Sequence, residues 1–214
     1  MKNKVLILFF LGINTLNAQT LNIKIGPAFS KMHFSANYNR QINFDEIYTG
    51  IAASFKIDYL QKKFFYLSSN FGFINIGGKG YINTNFDGHV LRVYTKTSLN
   101  YLTLNSRFYF KFIDSKKISP FIGIGPRLDY LIHYRDDQQL IYPLKEGLNK
   151  SLYGLDLVAG THYSIKNFQL GVEIEYNHVF NKLVSFPSPF IEGLTDKISV
   201  GYCTIGFLFG YKLK

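Results

Sequence analysis

The stretch Leu102-Thr103-Leu104-Asn105-Ser106-Arg107-Phe108-Tyr109-Phe110-Lys111-Phe112 decides how this chain folds. Every second residue (Leu102, Leu104, Ser106, Phe108, Phe110, Phe112) joins a stripe that is almost wholly apolar. The residues between them, Thr103, Asn105, Arg107, Tyr109 and Lys111, form a polar one. A period of two means a strand, and two unlike stripes mean a sheet with two unlike faces. A soluble strand usually runs about five or six residues. This one is long enough for the roughly 9–11 residues that a tilted strand needs to cross hydrocarbon.

The same alternation recurs on both sides of it. Ile122, Ile124, Pro126, Leu128, Tyr130 and Ile132 alternate with Gly123, Gly125, Arg127, Asp129, Leu131 and His133. Leu155, Leu157, Ala159, Thr161 and Tyr163 alternate with Asp156, Val158, Gly160, His162 and Ser164, and Leu170, Val172, Ile174 and Tyr176 with Gly171, Glu173, Glu175 and Asn177. Eight segments follow this pattern, at about 21–33, 47–60, 65–77, 100–112, 119–134, 153–165, 168–180 and 197–213. Their connections alternate long (34–46, 78–99, 135–152, 181–196) and short (61–64, 113–118, 166–167). Long loops at one end and tight turns at the other predict an all-β, eight-stranded antiparallel up-and-down transmembrane β-barrel with both termini on the periplasmic side. An even strand number lets the last segment close on the first, leaving no open edge in lipid.

Composition agrees. The 214 residues hold 16 Tyr and 21 Phe but no Trp, only 18% are charged, and no apolar run after residue 20 is long enough for a membrane helix. The lone Cys203 excludes an internal disulfide framework and a cysteine-based metal cluster. Residues 1–18 read as a cleaved signal peptide. Lys2 and Lys4 precede an apolar stretch from Val5 to Ile13, and Asn14-Thr15-Leu16-Asn17-Ala18 ends on a small residue. The mature barrel domain is then 19–214, and losing Lys2 and Lys4 lowers the formal charge from +10 to +8. The remaining basic residues are scattered apart from Lys62-Lys63 and Lys116-Lys117, with no basic arm or helix, so no nucleic-acid partner is expected.

Alternation alone does not say which stripe faces out; a soluble lipocalin-like binder would show the same pattern inverted. The polar stripe carries Gly26, Gly72, Gly160, Gly171, Gly206 and Gly210, small residues suited to a crowded interior. The apolar stripe places Tyr59, Phe65, Phe112, Phe121, Tyr163, Phe168 and Tyr211 as a periplasmic aromatic girdle, with Phe29, Tyr130, Tyr134, Tyr153 and Phe180 opposite. With lipid outside, the inward stripes carry Lys24, Lys56, Arg107, Lys111 and Arg127 against Asp58, Asp129, Asp156, Glu173 and Glu175. An eight-stranded barrel is just wide enough for side chains to fill. Buried charges there must pair, so the expectation is a packed ionic network and no open channel.

Neither catalysis nor a cofactor is expected. His33, His133 and His178 fall near loop-side strand ends and His89 in the longest loop. Ser35, Ser185 and Ser188 lie near them without a spacing that builds a nucleophile, base and acid. An outer-membrane lipid-modifying enzyme is therefore the weaker alternative. His162 points inward as a lumen hydrogen-bonding residue. Gly77-Gly78-Lys79-Gly80 lacks the spacing of a phosphate-binding loop, Gly123-Ile124-Gly125 lies inside a strand, and no metal-ligand spacing occurs.

Four patches resemble the PorT-like outer-membrane β-barrel proteins found in Gram-negative bacteria with type IX secretion. Ile23-Lys24-Ile25-Gly26-Pro27-Ala28-Phe29-Ser30 is similar to that family's Gly-rich first strand, and Phe73-Ile74-Asn75-Ile76-Gly77-Gly78-Lys79 to its third-strand exit. Tyr101-Leu102-Thr103-Leu104 resembles the fourth-strand opening, with Asn105 where the family often has Pro. Pro120-Phe121-Ile122-Gly123-Ile124-Gly125-Pro126 resembles the Gly-Pro pattern of the fifth strand. The chain departs from the family's aromatic end, carrying Leu213 and Lys214 after Tyr211. The resemblance implies an integral outer-membrane barrel and an accessory role in type IX secretion. The partners expected are outer-membrane lipid and a protein or surface met by loops such as Tyr38-Asn39-Arg40, Tyr94-Thr95-Lys96, Tyr134-Arg135-Asp136-Asp137 and Phe186-Pro187-Ser188-Pro189-Phe190.

Overall fold

The computed structural model describes residues 20–35, 42–86, 89–112, 117–136, 148–187 and 195–213. Residues 1–18, expected from the sequence to be a signal peptide, the loop motif at Tyr38 and most of the loop 135–152 lie outside them. Among the described residues ten strands follow in order: β1 (Thr20–Ser35), β2 (Ile42–Glu46), β3 (Tyr48–Tyr59), β4 (Phe65–Phe86), β5 (His89–Lys111), β6 (Ile118–Asp136), β7 (Ser151–Ile165), β8 (Phe168–Val179), β9 (Val184–Pro187) and β10 (Thr195–Lys212). Eight of them, all but β2 and β9, make an antiparallel up-and-down wall, and β1 pairs with β10 from Thr20↔Lys212 to Ser35↔Lys197 to close it. No edge of the wall is left open, which is what hydrocarbon demands of a β structure. The Thr20↔Lys212 pair sets the start of β1 and the end of β10 at the end of the wall that carries the short turns. At the two-residue turn between β7 and β8, Lys166 takes a positive φ of 52°, the backbone that so tight a hairpin requires.

The long connection expected at 78–99 is instead a hairpin. β4 and β5 stay in register from Phe65↔Phe110 to Phe86↔His89, well past the apolar part of the wall. Gly77 and Gly78 do not turn the chain; each admits a close neighbour. A Cβ on Gly77 would meet the Tyr48 ring at 3.0 Å, and one on Gly78 the Met32 sulfur at 2.8 Å. The connections expected at 34–46 and 181–196 likewise contain short strands, with β2 pairing to β4 and β9 to β10.

Two Gly-Pro pairs interrupt the ladders in the same way. The β1–β10 register skips Gly26-Pro27, and the β5–β6 register skips Gly125-Pro126. Proline has no N–H to donate, so the ladder opens locally. The glycine beside it lets the neighbouring strand close in: a Cβ on Gly26 would sit 1.8 Å from the Ile205 carbonyl oxygen, and one on Gly125 1.9 Å from that of Ser106.

Burial follows the two stripes. Outward residues Phe108 and Phe110 on β5, Phe112 just after it, Ile122, Ile124 and Leu128 on β6, and Leu157, Val172, Ile174 and Phe207 are exposed, while the facing polar residues are buried. This is the reverse of a lipocalin-like binder, whose apolar stripe lines the interior. From Phe112 to Leu102 the β5 stripe covers roughly 25 Å at a rise of about 3.3 Å and a tilt of about 40°, the height of the apolar band of membrane barrels.

Three aromatic or histidine placements differ from expectation. Phe121 shares its face with Gly123 and Gly125 and points inward, 2% exposed, rather than into a girdle. Its ring centroid stands 5.3 Å from that of Tyr109 and 6.4 Å from that of Tyr66, in an aromatic floor across the turn-side lumen. A bulge in β6, where Asn100↔His133 is followed by Tyr101↔Leu131, inverts the faces beyond it. His133 is consequently exposed, and Tyr134 packs against the interior instead of joining the opposite girdle.

Candidate functional site: the ion network of the lumen

Inward residues of seven strands meet in one layer across the barrel. Lys24 of β1 reaches Glu173 of β8 at 2.9 Å and also contacts Glu175. Arg107 of β5 is the hub. Its Nη2 lies 2.6 Å from Asp156 of β7 and its Nε 3.0 Å from the same carboxylate, while Nη1 contacts Glu175 and stands 3.8 Å from Glu173. Arg127 of β6 donates to Asp129 at 2.7 Å and to the Asn177 side-chain oxygen at 2.9 Å. The same side chain lies 3.6 Å from Asp156. Lys56 of β3 stands 3.7 Å from Asp58 and 3.6 Å from Glu173, with its ammonium 4.2 Å from the centroid of the Tyr109 ring.

Neutral side chains complete the layer. Asn22 donates to Asp58 at 2.8 Å, Thr204 of β10 to Glu175 at 3.0 Å, and Tyr202 to Asp129. Lys24, Lys56, Arg107, Arg127, Asp58, Asp129, Asp156, Glu173 and Glu175 are all buried. Lys111 sits apart at the turn-side mouth. It is half-buried, with its Nζ 3.3 Å from the Lys62 carbonyl oxygen. An ion out of water costs several kcal/mol unless geometry and hydrogen bonds compensate, and here the guanidinium forks span carboxylates of different strands.

Apolar layers flank the charges. Toward the loops, Met32, Ile74, Ile76, Leu99, Leu152 and Val200 are among the buried residues of one cluster. Toward the turns lies the aromatic floor of Tyr66, Tyr109 and Phe121. His162 packs against that floor, its ring 4.4 Å from Phe121. It points inward as expected, and its Nε2 has no hydrogen-bond partner among the described residues. Beside the network is a void of about 10 Å³ lined by Lys24, Thr103, Asn105, Arg127 and Glu175, room for about one water. A cavity of about 240 Å³ lies below the floor, lined by Asp58, Lys111, His162, Gln169 and Lys212 among others.

Strand parity showed which charges share the inward face. Tyr202, Thr204, Asn177 and the apolar layers were missed, although Ile74 and Ile76 sit on the polar parity of β4, and that break in alternation was their only signal. Among the described residues no three His, Cys, Asp or Glu side chains gather to hold a metal. His33, His133 and His178 stand exposed on β1, β6 and β8 and make no hydrogen bond to a serine or carboxylate among the described residues.

Charge inside and an apolar band outside leave one assignment. This is a transmembrane β-barrel. No family model matches the chain, and neither does any curated protein sequence. Solved structures of similar fold include the outer membrane protein OprG from Pseudomonas aeruginosa, at 16% identity over 92% of this chain and 97% of that one, with a TM-score of 0.49. Neisserial surface protein A matches at 12% identity over 90% and 97%, TM-score 0.48. Ail, the attachment invasion locus protein of Yersinia pestis, matches at 14% identity over 91% and 100%, TM-score 0.44.

Proposed function

We propose that the chain is an integral, non-enzymatic protein of the bacterial outer membrane, with both termini in the periplasm and a sealed lumen. Its role is structural and interactive, exercised through lipid and through the loop-side surface. The observation that carries this is the stack inside the wall: an aromatic floor, a layer of charges from six strands completed by neutral partners on a seventh, and an apolar layer above it. Ion pairs that bridge strands across the lumen brace the cylinder from within and leave no continuous aqueous path. Reconstituted into a planar bilayer, the protein should give no sustained conductance steps. Stable openings in the unmodified protein would contradict the sealed lumen.

The four patches that resemble PorT-like proteins fall in β1, β4, β5 and β6, in the wall itself. They support a barrel of that kind. An accessory part in type IX secretion is a further reading that rests on the resemblance alone.

A further inference from the structure

Above the apolar band, the outward face of the β4–β5 hairpin changes chemistry in register. Asn75 and Asn100 come first, with the Asn75 amide donating to Asn100 at 2.5 Å and to Ser98 at 2.8 Å. Lys79 and Lys96 stand directly opposite one another next, then Tyr81 and Tyr94, whose rings meet edge to face at 5.3 Å. Arg92 follows, its guanidinium 3.9 Å from the centroid of the Tyr81 ring.

The junction of β2 and β3 walls one side. The Tyr48 ring lies over Gly77, where a side chain would collide with it, and its hydroxyl donates to Asn75 at 2.7 Å. Glu46 reaches Lys79 at 3.5 Å. On the other side β6 brings exposed Arg135 opposite Ser98. Among the side chains described on this face, three cations (Lys79, Arg92, Lys96) stand against one carboxylate, Glu46.

Like charges directly opposite on one face of a sheet destabilise it, so the Lys79↔Lys96 pair needs a counter-charge that Glu46 supplies to only one of them. Height selects what can supply the rest. Lys96 stands six residues beyond Leu102. That is about 15 Å above the apolar band at a rise of about 3.3 Å and a tilt of about 40°. A phospholipid headgroup layer is only about 5–8 Å deep. An anion at the height of Lys96 belongs to a taller headgroup, one built on sugars.

We infer that this corner is a binding site for the phosphorylated saccharide headgroup of an outer-leaflet glycolipid. Lys79 and Lys96 clamp a phosphate, Arg92 and Arg135 extend the anionic contact, and the Tyr94 ring, 43% exposed, offers a flat face to a sugar. The inference rests on the outer-membrane reading, with the hairpin outside.

The test uses the full barrel reconstituted in phosphatidylcholine vesicles doped with rough-type lipopolysaccharide, followed by detergent extraction and quantitation of the glycolipid that stays bound. Lys79→Gln/Lys96→Gln should retain about 30-fold less, since each basic residue near an anionic surface contributes roughly a fivefold factor. Lys62→Gln/Lys63→Gln, at the opposite rim, should retain it like the parent, and phosphatase-treated lipopolysaccharide should not be held. The faster migration of the unboiled protein checks that each variant is folded. Equal retention by the Lys79/Lys96 variant, or of the dephosphorylated lipid, would overturn the site. Preference for a soluble polysulfated saccharide over the vesicle would overturn it in favour of a free glycan. A parent protein that fails to float with the vesicles would defeat the membrane reading itself, a result separable from the others.

Discussion

Replacing Arg107 with leucine is expected to destabilise the barrel by about 3–5 kcal/mol, the range for removing one partner of a buried ion pair. The guanidinium touches Asp156, Glu175 and Glu173 at once, and all three are within 1% of full burial. Without it, Lys24, Lys56 and Arg127 face the same carboxylates with one positive charge fewer. Adding Glu175→Gln to Arg107→Leu should restore part of the loss by removing one uncompensated charge. Urea titration of the barrel folded in phosphatidylcholine vesicles, read by the mobility of unboiled samples, measures both. A single-variant loss below about 1 kcal/mol would mean water reaches the layer and screens it.

The second large effect lies on the other face. Leu157 is 48% exposed near the middle of the β7 outward stripe. Leu157→Arg should cost about 2–4 kcal/mol in the same vesicle titration, as charged residues do at a bilayer midplane, while Lys62→Arg in the exposed turn should cost nearly nothing. If that stripe met water instead, the arginine would be tolerated there and would improve solubility.

The wall was legible because one rule, a period of two with unlike faces, runs through every strand. The expected 168–180 against Phe168–Val179 shows how closely strand limits follow where both faces keep their chemistry. The rule fails where chemistry stops alternating. Past Phe73 the β4 strand inverts its pattern, with apolar Ile74 and Ile76 inward and polar Asn75 outward, and then carries two adjacent glycines, so it reads as an exit into a loop. Those glycines serve the approach of Tyr48 and Met32, contacts that exist only once β1 and β3 are in place.

The bulge in β6 leaves no mark in the sequence, yet it decides that His133 faces out and Tyr134 in. For Phe121 parity points inward while its place near a strand end suggests a girdle; the floor it joins needs Tyr66 and Tyr109 from other strands. For the charges, parity gives the face, whereas the pairing of Arg107 with Asp156 and Glu175 depends on distances across the lumen that no spacing encodes.

The central claim is a closed barrel with lipid outside and a packed, charged interior. Fractionation of expressing cells, with gel mobility of the purified protein before and after boiling, tests it most directly. The account predicts recovery in the outer membrane and a faster band in the unboiled sample. Recovery as a soluble periplasmic protein with no mobility shift would contradict it.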